Sequence, residues 1–450
     1  MNVNNELKTA WEFVEKTGKS VFLTGKAGTG KTTFLREVVG SSSKRVVVVA
    51  PTGIAAINAG GVTIHSFFQL PLHPYIPGVK VESKFAFSKE KRSIIKTIDV
   101  LIIDEISMVR SDLLDAVDSV LRRFRDRNKP FGGVQLLMIG DLQQLTPVVT
   151  DEEAELLSHY YSTPYFFGSH ALGKTDYVTI ELKQIYRQQD EGFVSILNEV
   201  RSGRPSQQAI NKLNERYLAS FSPDPEEGYI RLTTHNNTAN SYNDEQLNMI
   251  DEPAYRFDAE ISGTFPEYSY PTELQLELKK GAQVMFVKND PSSEKRYYNG
   301  KIGHVVEIID DMILVQCPGD DEPVAVEQLE WENSRYVINE QTQEMETEVQ
   351  GVFRQYPLRL AWAITIHKSQ GLTFDKAIID AAASFASGQV YVALSRCRTL
   401  EGMVLATPLH QGAVMTDLRV EDYIELQEKA AAESLSRLDS IKKEYFRLAD

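Results

Sequence analysis

The stretch SVFLTGKAGTGKTTFLREVV, residues 20–39, decides the fold. It opens with a short apolar run, SVFLT, which is typical of a strand buried on both faces. The next eight residues, GKAGTGKT, match the phosphate-loop pattern G-x-x-x-x-G-K-[ST], and a helical stretch follows from Thr32 to Val39. A strand, a glycine-rich loop and a helix in this order predict an α/β domain that binds nucleotide phosphates.

Each residue type in the loop has a chemical reason. Glycines permit tight turns, so that backbone N–H groups face the phosphates. Lys31 supplies a point charge for the β- and γ-phosphates, and the Thr32 hydroxyl is a ligand for Mg²⁺. A plain glycine turn before a helix is the alternative, and the flanking strand and helix argue against it. The nucleotide-contacting residues that we predict here are Gly25, Ala27, Gly28, Thr29, Gly30, Lys31, Thr32 and Thr33.

Two later apolar runs end in polar residues. VLIIDEIS, residues 100–107, places Asp104 and Glu105 at the end of a buried strand. We expect Asp104 to hold Mg²⁺ through water and Glu105 to orient or deprotonate the attacking water. Such acid pairs are also common without function, but the upstream phosphate loop favours the catalytic interpretation. In GDLQQL, after the next strand, we expect Gln144 to contact the γ-phosphate.

Two arginines in the second half of the chain complete a catalytic pattern. Arg187 lies in IYRQQD and Arg396 in VALSRCR. An arginine supplied by a second domain stabilises transition-state charge and can accelerate phosphoryl transfer by about 10³ to 10⁵. Taken one at a time, each could equally be an ordinary surface arginine.

Length and composition exclude several classes of protein. At about 150 residues per domain, 450 residues suggest roughly three domains. No apolar run reaches the roughly 18 residues of a membrane-spanning helix. Two cysteines cannot build a disulfide framework, and the first residues lack the features of a signal peptide. We therefore expect a cytoplasmic, nucleoid-associated protein without a targeting segment.

The net charge of −15 argues at first against a nucleic-acid partner. The charge is uneven, however. Residues 305–350 hold 13 acidic side chains and one basic one, which leaves −3 for the rest of the chain. Segments 79–97 and 121–129 are locally basic. A near-neutral body with basic patches can bind phosphate backbones, because nearby charges dominate in salt.

Alternating strand and helix patterns divide the chain. We predict a first domain over 1–175 with a hairpin insertion at about 69–97. A second α/β domain is expected over 176–250 and 354–418, interrupted by an all-β module at 251–353 with turns at 310–311 and 318–321. The tail, 419–450, has helical spacing, and we expect it to pack on its own domain rather than on a partner.

The order of the motifs resembles superfamily-one DNA helicases, most closely the compact, bacterial-like members of the PIF-type branch. The stretch EISMVRSDLLDAVDSVLRRFRDRNKPFGGVQ, residues 105–135, resembles the signature of that branch. The other motifs carrying the resemblance are GKAGTGKT, APTGIAA (50–56), TIHSFF (63–68), DEISM (104–108), GDLQQLTPV (140–148), LKQIYRQ (182–188), AITIHKSQGLTFD (363–375) and YVALSRC (391–397).

The resemblance implies two RecA-like domains with parallel sheets, ATP and Mg²⁺ between them, and an SH3-like β module. It implies 5′-to-3′ translocation on single-stranded DNA, unwinding of tailed, forked or G-quadruplex DNA, and roles in DNA repair, recombination and telomere maintenance. We expect the chain to be a monomer in solution. Gly371 would join the nucleotide site. The DNA-facing positions carried over are Pro51, Thr52, Thr63, His65, Ser66, His235, Asn236, Asn299, His367, Lys368 and Ser369.

Some features leave alternatives open. His65 and His367, taken alone, would more often be structural histidines, and we assign Phe67 and Phe68 to the core. The family's adenine-reading Gln is missing from the first 25 residues, where Asn2, Asn4 and Asn5 are the nearest amides. A DNA-independent switch ATPase and an RNA helicase remain alternative functions.

The β module should present one face to DNA. The acidic segment 305–350 would repel phosphates within a Debye length of about 10 Å. We therefore expect the useful face to be the less acidic one, although a merely solvated surface is the alternative. That face would comprise Lys279, Lys280, Lys288, Lys295, Arg296 and Asn299.

Overall fold

The computed structural model of the chain describes residues 4–79, 87–188, 190–224, 227–338, 345–380, 388–414 and 416–449. The chain divides into two compact units. The first comprises 1–187, 334–348 and 417–450, and the second comprises 188–333 and 349–416.

A parallel six-stranded sheet forms the centre of the first unit. Its Val, Ile and Leu runs are buried on both faces, as a parallel sheet covered by helices requires. The strand order is β3-β2-β4-β5-β1-β6, and every neighbouring pair is parallel. The strands are β1 Ser20–Gly25, β2 Val46–Ala50, β3 Val62–Thr63, β4 Val100–Ile103, β5 Gln135–Gly140 and β6 Tyr177–Leu182.

In the described part of the chain, seven α-helices of this unit precede the second unit. Side chains alternate across a strand, so Phe22 joins the core cluster on one face while Val21 and Leu23 join the cluster on the other. Both faces are therefore dry. The helices are α1 Asn5–Lys16, α2 Lys31–Ser41, α3 Gly53–Ala59, α4 Ile64–Phe68, α5 Lys89–Thr97, α6 Ser111–Phe124 and α7 Asp151–Ser158.

The domain boundary predicted after residue 175 is wrong by about a dozen residues. We expected the second domain to begin with the strand near 177, but β6 pairs in parallel with β1 along its whole length. Its inward side chains Val178, Ile180 and Leu182 are buried in the first core. A strand's membership of a sheet depends on its partner, which the local pattern does not encode.

The insertion predicted at 69–97 is too long. Residues 89–97 form α5, which buries Ile94 and Ile95 in the core of the first unit. Residues 80–86, the centre of the expected hairpin, lie outside the described part of the chain.

The signature stretch 105–135 forms α6 and the loops beside it, and its acids anchor three neighbouring segments. Asp112 accepts a hydrogen bond from the Tyr75 N–H (2.9 Å), and Asp118 accepts one from the Phe131 N–H (2.5 Å). Asp115 is buried and accepts four bonds from residues 161–171. These carboxylates fix loops that have no sheet to hold them.

The second unit contains a parallel sheet of order β18-β7-β19-β20 and an antiparallel sheet of order β14-β13-β12-β11-β17. Its helices are α8 Glu191–Arg201, α9 Gln207–Asn214, α10 Asn236–Met249 and α11 Gln389–Leu394. The strands of the parallel sheet are β7 Ile230–Thr233, β18 Ala363–Thr365, β19 Ala377–Ile379 and β20 Met403–Leu405.

Antiparallel strands fill the region between β7 and β18. They are β8 Tyr255–Asp258, β9 Glu260–Gly263, β10 Gln275–Leu278, β11 Gln283–Phe286, β12 Ile302–Ile309, β13 Met312–Gln316, β14 Val324–Val326, β15 Leu329–Ile338, β16 Met345–Gln355 and β17 Leu358–Leu360. The predicted fold class, two parallel α/β sheets with an all-β module, is confirmed.

The run PLRLAWAITI, residues 357–366, begins the segment 354–418 that we predicted as the return to the α/β domain, but it splits between two sheets. Its first part, β17, pairs with β11 in the antiparallel sheet, and its second part, β18, pairs with β7 in the parallel sheet. The all-β module therefore extends beyond the predicted limit of 353.

The tail forms two helices rather than one, α12 Leu418–Ser436 and α13 Leu438–Ala449. Both pack on the first unit. Tyr423 stacks on Phe167 with ring centroids 4.2 Å apart and shares a 2.7 Å hydrogen bond with Tyr177. Among the described residues, no helix has the length and apolarity to cross a bilayer.

Replacing Asp115 with Ala should lower the free energy of unfolding by about 3 kcal/mol or more, because three buried donors and one part-buried donor lose their acceptor. Urea unfolding measures this change. The exposed Asp422→Ala should stay within about 0.5 kcal/mol of the parent. Equal effects of the two substitutions would show that the Asp115 contacts contribute little.

Candidate functional site

The predicted nucleotide residues follow strands that end at one edge of the first sheet. The phosphate loop follows β1, Asp104 and Glu105 follow β4, and the loop 141–144 follows β5. Because β5 lies between β4 and β1 and all three are parallel, their carboxyl ends bring these loops together. Ligands bind at this edge in open α/β sheets.

The loop has the backbone that glycine permits. Gly28 and Gly30 have φ angles of 78° and 91°, in the left-handed region. Gly30 is the N-cap of α2, so the first N–H groups of the helix point toward a bound anion. Ala27 and Thr29 are buried, and the Thr29 hydroxyl bonds to the Lys26 carbonyl at 2.9 Å, which stabilises the turn from within.

Lys31 lies over the loop. Its ammonium donates to the carbonyls of Gly25 (2.7 Å) and Lys26 (2.9 Å). Thr32 and Thr33 are exposed in the first turn of α2, where a hydroxyl can reach a ligand. The ammonium is therefore held at the loop where phosphates bind.

Asp104 and Glu105 differ in environment. Burial raises the pKa of Asp104 to about 6, and the Glu105 N–H and the nearby charge of Lys31 offset part of that rise. Glu105 has a φ of 50°, a left-handed conformation that strains a residue with a Cβ. Strain of this kind often marks functional residues. The local turn thus gives the two adjacent carboxylates different settings.

The oxygen donors fit Mg²⁺ rather than a softer metal. Thr32 offers a hydroxyl and Asp104 a carboxylate close to Lys31. Among the described residues, there is no cluster of three or more His, Cys, Asp or Glu side chains that could hold a metal by itself. Mg²⁺ commonly binds through one or two protein oxygens together with substrate phosphates, which is the arrangement this edge can supply.

Gln144 is buried and held by its own loop. Its Nε2 donates to Asp141 Oδ2 at 3.1 Å, and its backbone N–H donates to the Asp141 carbonyl. Asp141, which the sequence reasoning passed over, is itself buried and also accepts from the Gln143 N–H. A γ-phosphate contact by Gln144 stays a prediction.

Arg187, which we expected in the second domain, is the last residue of the first unit. A Cβ on Gly28 would overlap the Arg187 side chain, and the Tyr186 N–H donates to the Gly28 carbonyl at 2.8 Å. Arg187 is therefore next to the phosphate loop of its own unit. Its action on a γ-phosphate stays a prediction.

Tyr186 is a residue that the sequence reasoning missed. Its exposed ring lies beside Gly30, and its hydroxyl donates to Gln184 (3.0 Å) and accepts from Asn4 (3.4 Å). Asn4 also caps α1 by accepting from the Leu7 N–H. Asn4, one of the three amides noted near the start, thus lies within reach of the loop.

The nucleic-acid positions of the first unit have mixed roles. Thr52 and Thr63 are N-caps of α3 and α4, and their hydroxyls accept from the Ala55 and Ser66 N–H groups. Pro51 leads into the first cap. His65 is half-buried, and burial lowers its pKa, while Ser66 is exposed. Both phenylalanines, Phe67 and Phe68, are buried, which confirms their assignment to the core.

In the second unit, two predicted segments follow neighbouring parallel strands. His235 and Asn236 follow β7 and are exposed, and His367 and Lys368 follow β18. Burial lowers the pKa of His367. Ser369 is wholly buried, and its hydroxyl donates to the Ile366 carbonyl at 2.7 Å. Its predicted side-chain contact with DNA is therefore wrong in this conformation, because the hydroxyl is inside the loop.

Arg396 is one of the largest fully buried side chains of the second unit, so the surface-arginine alternative is wrong. Its guanidinium donates to the carbonyls of Val392 (3.0 Å), Leu372 (3.4 Å) and Ser369 (3.5 Å). Gly371, between the last two, is exposed with a φ of 80°. Arg396 thus supports the loop that carries His367 and Lys368.

The cations predicted to form a DNA face on the β module have partners within the module. Lys288 donates to the Glu330 carbonyl and lies over the Trp331 ring. Lys279 donates to the Ile250 carbonyl. Lys295 and Arg296 bond to Asp290, and Arg296 also pairs with Glu294. Asn299 donates its N–H to Asn289. These contacts favour a structural role for the residues that make them, and among the described residues Lys280 makes no such contact.

The parallel sheet and its phosphate loop place the chain in the class of RecA-like P-loop proteins. Residues 2–210 match the family model described as PIF1-like helicase. A crystal structure of Bacteroides sp Pif1 in complex with ADP-AlF4 is 40% identical, with a TM-score of 0.88 over 96% of this chain and 98% of that one. The chain therefore belongs to the PIF1-like helicase family.

Relatives differ in length. The ATP-dependent DNA helicase PIF1 of Homo sapiens is 35% identical over 86% of this chain, which spans 58% of that protein. The ATP-dependent DNA helicase Pif1 of Bdellovibrio bacteriovorus is 33% identical over 87% of this chain and 84% of that one. The Bacteroides protein is also known bound to ssDNA, with 40% identity and a TM-score of 0.69. The chain thus spans just over half of the human relative.

The strained backbone of Glu105 gives a test of its function. The free energy of unfolding of Glu105→Gly should exceed that of Glu105→Ala by about 1 kcal/mol, because only glycine adopts a φ of 50° without cost. Thermal or urea unfolding of the two variants measures the difference.

Both variants should lose nucleotide hydrolysis, since both lack the carboxylate. Glu105→Gln is the matched control, because it keeps the strained backbone and the side-chain size. It should still bind nucleotide. A hydrolysis rate near the parent's in Glu105→Gln would exclude Glu105 as the base.

Proposed function

We propose that the chain is an ATP-dependent DNA helicase that translocates 5′ to 3′ on single-stranded DNA and unwinds duplex or structured DNA. The observation that carries the proposal is the shared sheet edge of the first unit, where Lys31 follows β1 and Asp104 and Glu105 follow β4, with β5 between these two parallel strands. Membership of the PIF1-like helicase family supports the same activity.

The nucleotide chemistry follows from the residues at this edge. Lys31 exchanges its two loop carbonyls for the β- and γ-phosphates of ATP. Thr32 directly and Asp104 through water would hold Mg²⁺, which would supply positive charge to neutralise the phosphates. Glu105 accepts a proton from the attacking water or orients it. Arg187 and Arg396 stabilise the charge that develops on the transferred phosphoryl group. For Arg396 this requires that its buried guanidinium exchange the Ser369 and Leu372 carbonyls for that group.

DNA binding rests on neutral polar groups at the strand ends of both units. Exposed Ser66, His235 and Asn236 can bond phosphates and sugars without reading bases. Because burial lowers the pKa of both His65 and His367, they contact DNA as neutral rings near pH 7. The ssDNA complex of the Bacteroides relative supports this substrate.

The finer features of the proposal concern partners and location. We propose that the substrates include tailed and forked duplexes and G-quadruplexes, that the chain is a monomer in solution, and that it is cytoplasmic and associates with the nucleoid. A solved structure of two coordinating Pif1 helicases at forked dsDNA, 40% identical to this chain, supports the fork as a substrate.

Strand displacement on tailed duplexes tests the proposal. With ATP and Mg²⁺, the chain should displace the strand of a 5′-tailed duplex and leave a 3′-tailed one paired. Lys31→Ala is the matched control; it should remain folded and lose both hydrolysis and unwinding, because phosphate binding lacks its cation. Fluorescence of a released labelled strand and phosphate release measure the two activities.

Three outcomes would contradict the proposal. An ATP hydrolysis rate that does not rise when single-stranded DNA is added would favour the switch ATPase. Displacement of RNA but not DNA strands would favour the RNA helicase. Substantial DNA-stimulated hydrolysis by Lys31→Ala would exclude the loop as the catalytic site.

The Arg187→Ala and Arg396→Ala variants should share a loss of hydrolysis and differ in melting temperature. Arg187→Ala and Arg396→Ala should each lower the hydrolysis rate more than tenfold with little loss of ATP affinity. Arg396→Ala should also lower the melting temperature, because its guanidinium bonds to several buried carbonyls. A near-normal rate in either variant would remove that arginine from the catalytic set.

A further inference from the structure

A cavity of about 520 Å³ in the second unit contains two basic side chains and a row of amides. Its volume lies within the roughly 300–1,000 Å³ typical of ligand pockets, so it can hold one nucleotide unit. The cavity is lined by Asn236, Ala239, Asn240, Asn243, Asp244, Leu247, Asn248, Glu273, Gln275, Leu276, Glu277, Arg359, Leu360, Ala363, Ile364, Thr365 and Lys368.

Arg359, on β17, is one of the two cations of this cavity, and its donors are only partly used. Within the described part of the chain, its buried Nε has no hydrogen-bond partner. One terminal nitrogen donates weakly to the Pro271 carbonyl at 3.4 Å, and the nearest carboxylate, the mostly exposed Glu273, is 3.7 Å from Nε. A buried guanidinium with unused donors is costly unless an anion completes its shell.

Lys368 places a second positive charge beside the first. Burial and the charge of Arg359 both lower the pKa of Lys368. Two cations that repel each other at a cavity wall are stabilised together by a bound anion. Lys368 follows β18, in the same loop as His367, so the anion would lie next to the proposed DNA track.

One face of α10 supplies neutral polar groups. Asn236, Asn240 and Asn248 are exposed and line the cavity at helical spacing. Asn243 lies between them. Its side-chain amide donates to the Ala363 carbonyl and accepts from the Ala363 N–H, both at 2.8 Å, and these bonds fix α10 against β18. Amides of this kind can bond a sugar or a base edge.

The acids of the cavity offset only part of the charge of the two cations. Glu273 is 3.7 Å from Arg359 Nε and also offsets part of the fall in the pKa of Lys368, but it is mostly exposed, so solvent screens its charge. Glu277 pairs with Arg256 at 2.7 Å. Asp244 is exposed and lies eight residues after Asn236, about 12 Å further along the helix axis. Arg359 and Lys368 therefore keep positive charge for a bound anion.

We propose that Arg359 and Lys368 bind one backbone phosphate of single-stranded DNA in this cavity, while the amide face of α10 contacts the adjoining sugar and base. The inference rests on the proposed DNA substrate and adds Arg359 and Asn240 to the residues that hold it. Arg359 lies outside the motifs of the sequence analysis, four residues before AITIHKSQG.

The test uses oligo(dT) strands that carry one neutral methylphosphonate linkage, moved stepwise along the strand. The parent chain should lose about tenfold in affinity when the neutral linkage occupies the cavity. Arg359→Gln should bind unmodified DNA about tenfold less tightly at 0.1 M salt, and the slope of log affinity against log salt should fall by about 0.7, the value for one phosphate of a single strand. In Arg359→Gln, the neutral linkage at the cavity position should no longer lower the affinity.

Arg354→Gln is the matched control. Arg354 is an exposed arginine on the neighbouring strand β16, and it pairs with Glu260 rather than lining the cavity. Its replacement should leave the salt slope and the linkage profile unchanged. Arg359→Lys, which keeps the charge, should keep most of the slope.

Several results would overturn the proposal. One is parent-like affinity and slope in Arg359→Gln. Another is weaker DNA binding by Arg359→Gln in which the neutral linkage at the cavity position still lowers the affinity as it does for the parent. That result would mean that Arg359 only stabilises the fold. Saturable binding of inorganic phosphate that Arg359→Gln loses, while its DNA binding is unchanged, would assign the cavity to a free anion. If the parent itself fails to bind single strands, the proposed function fails, and not this assignment alone.

Discussion

The parallel register of the first sheet is the constraint on which the rest of the first unit depends. Since every neighbouring pair is parallel, the segments that follow β1, β4 and β5 leave the sheet at one edge. The phosphate loop, the Asp104–Glu105 pair and the Asp141–Gln144 turn are far apart in sequence, and only this register makes them neighbours. Burial of the strands on both faces holds the register, because a slip would expose their Val, Ile and Leu side chains to water.

Several groups at the proposed sites carry a free-energy cost within an otherwise well-packed fold. Glu105 has a strained backbone, and burial raises the pKa of Asp104 to about 6. In the second unit, Arg359 has a buried nitrogen without a partner among the described residues. Each feature raises the free energy of the ligand-free protein. We propose that a bound ligand removes this cost or that the reaction uses it. The apolar cores around them hold these groups in place.

Structural and functional roles overlap within single motifs. Thr52 and Thr63 cap short helices, Ser369 bonds inside its own loop, and Arg396 supports the loop that carries Lys368. In the signature stretch, Asp112, Asp115 and Asp118 anchor loops. A motif residue therefore need not touch substrate, since many of them hold in place the residues that do.

The sequence by itself determined the fold class, the phosphate loop and the acids at the strand end, because periodicity and short-range spacing encode local structure. Only the tertiary structure decided that β6 joins the first sheet, that PLRLAWAITI divides between two sheets, and that Arg187 lies in the first unit. It also decided that the basic residues of the β module pair internally and that Arg359 lines a cavity. The physical reason is that a strand's partner and a side chain's surroundings depend on residues distant in the chain, which no local pattern specifies.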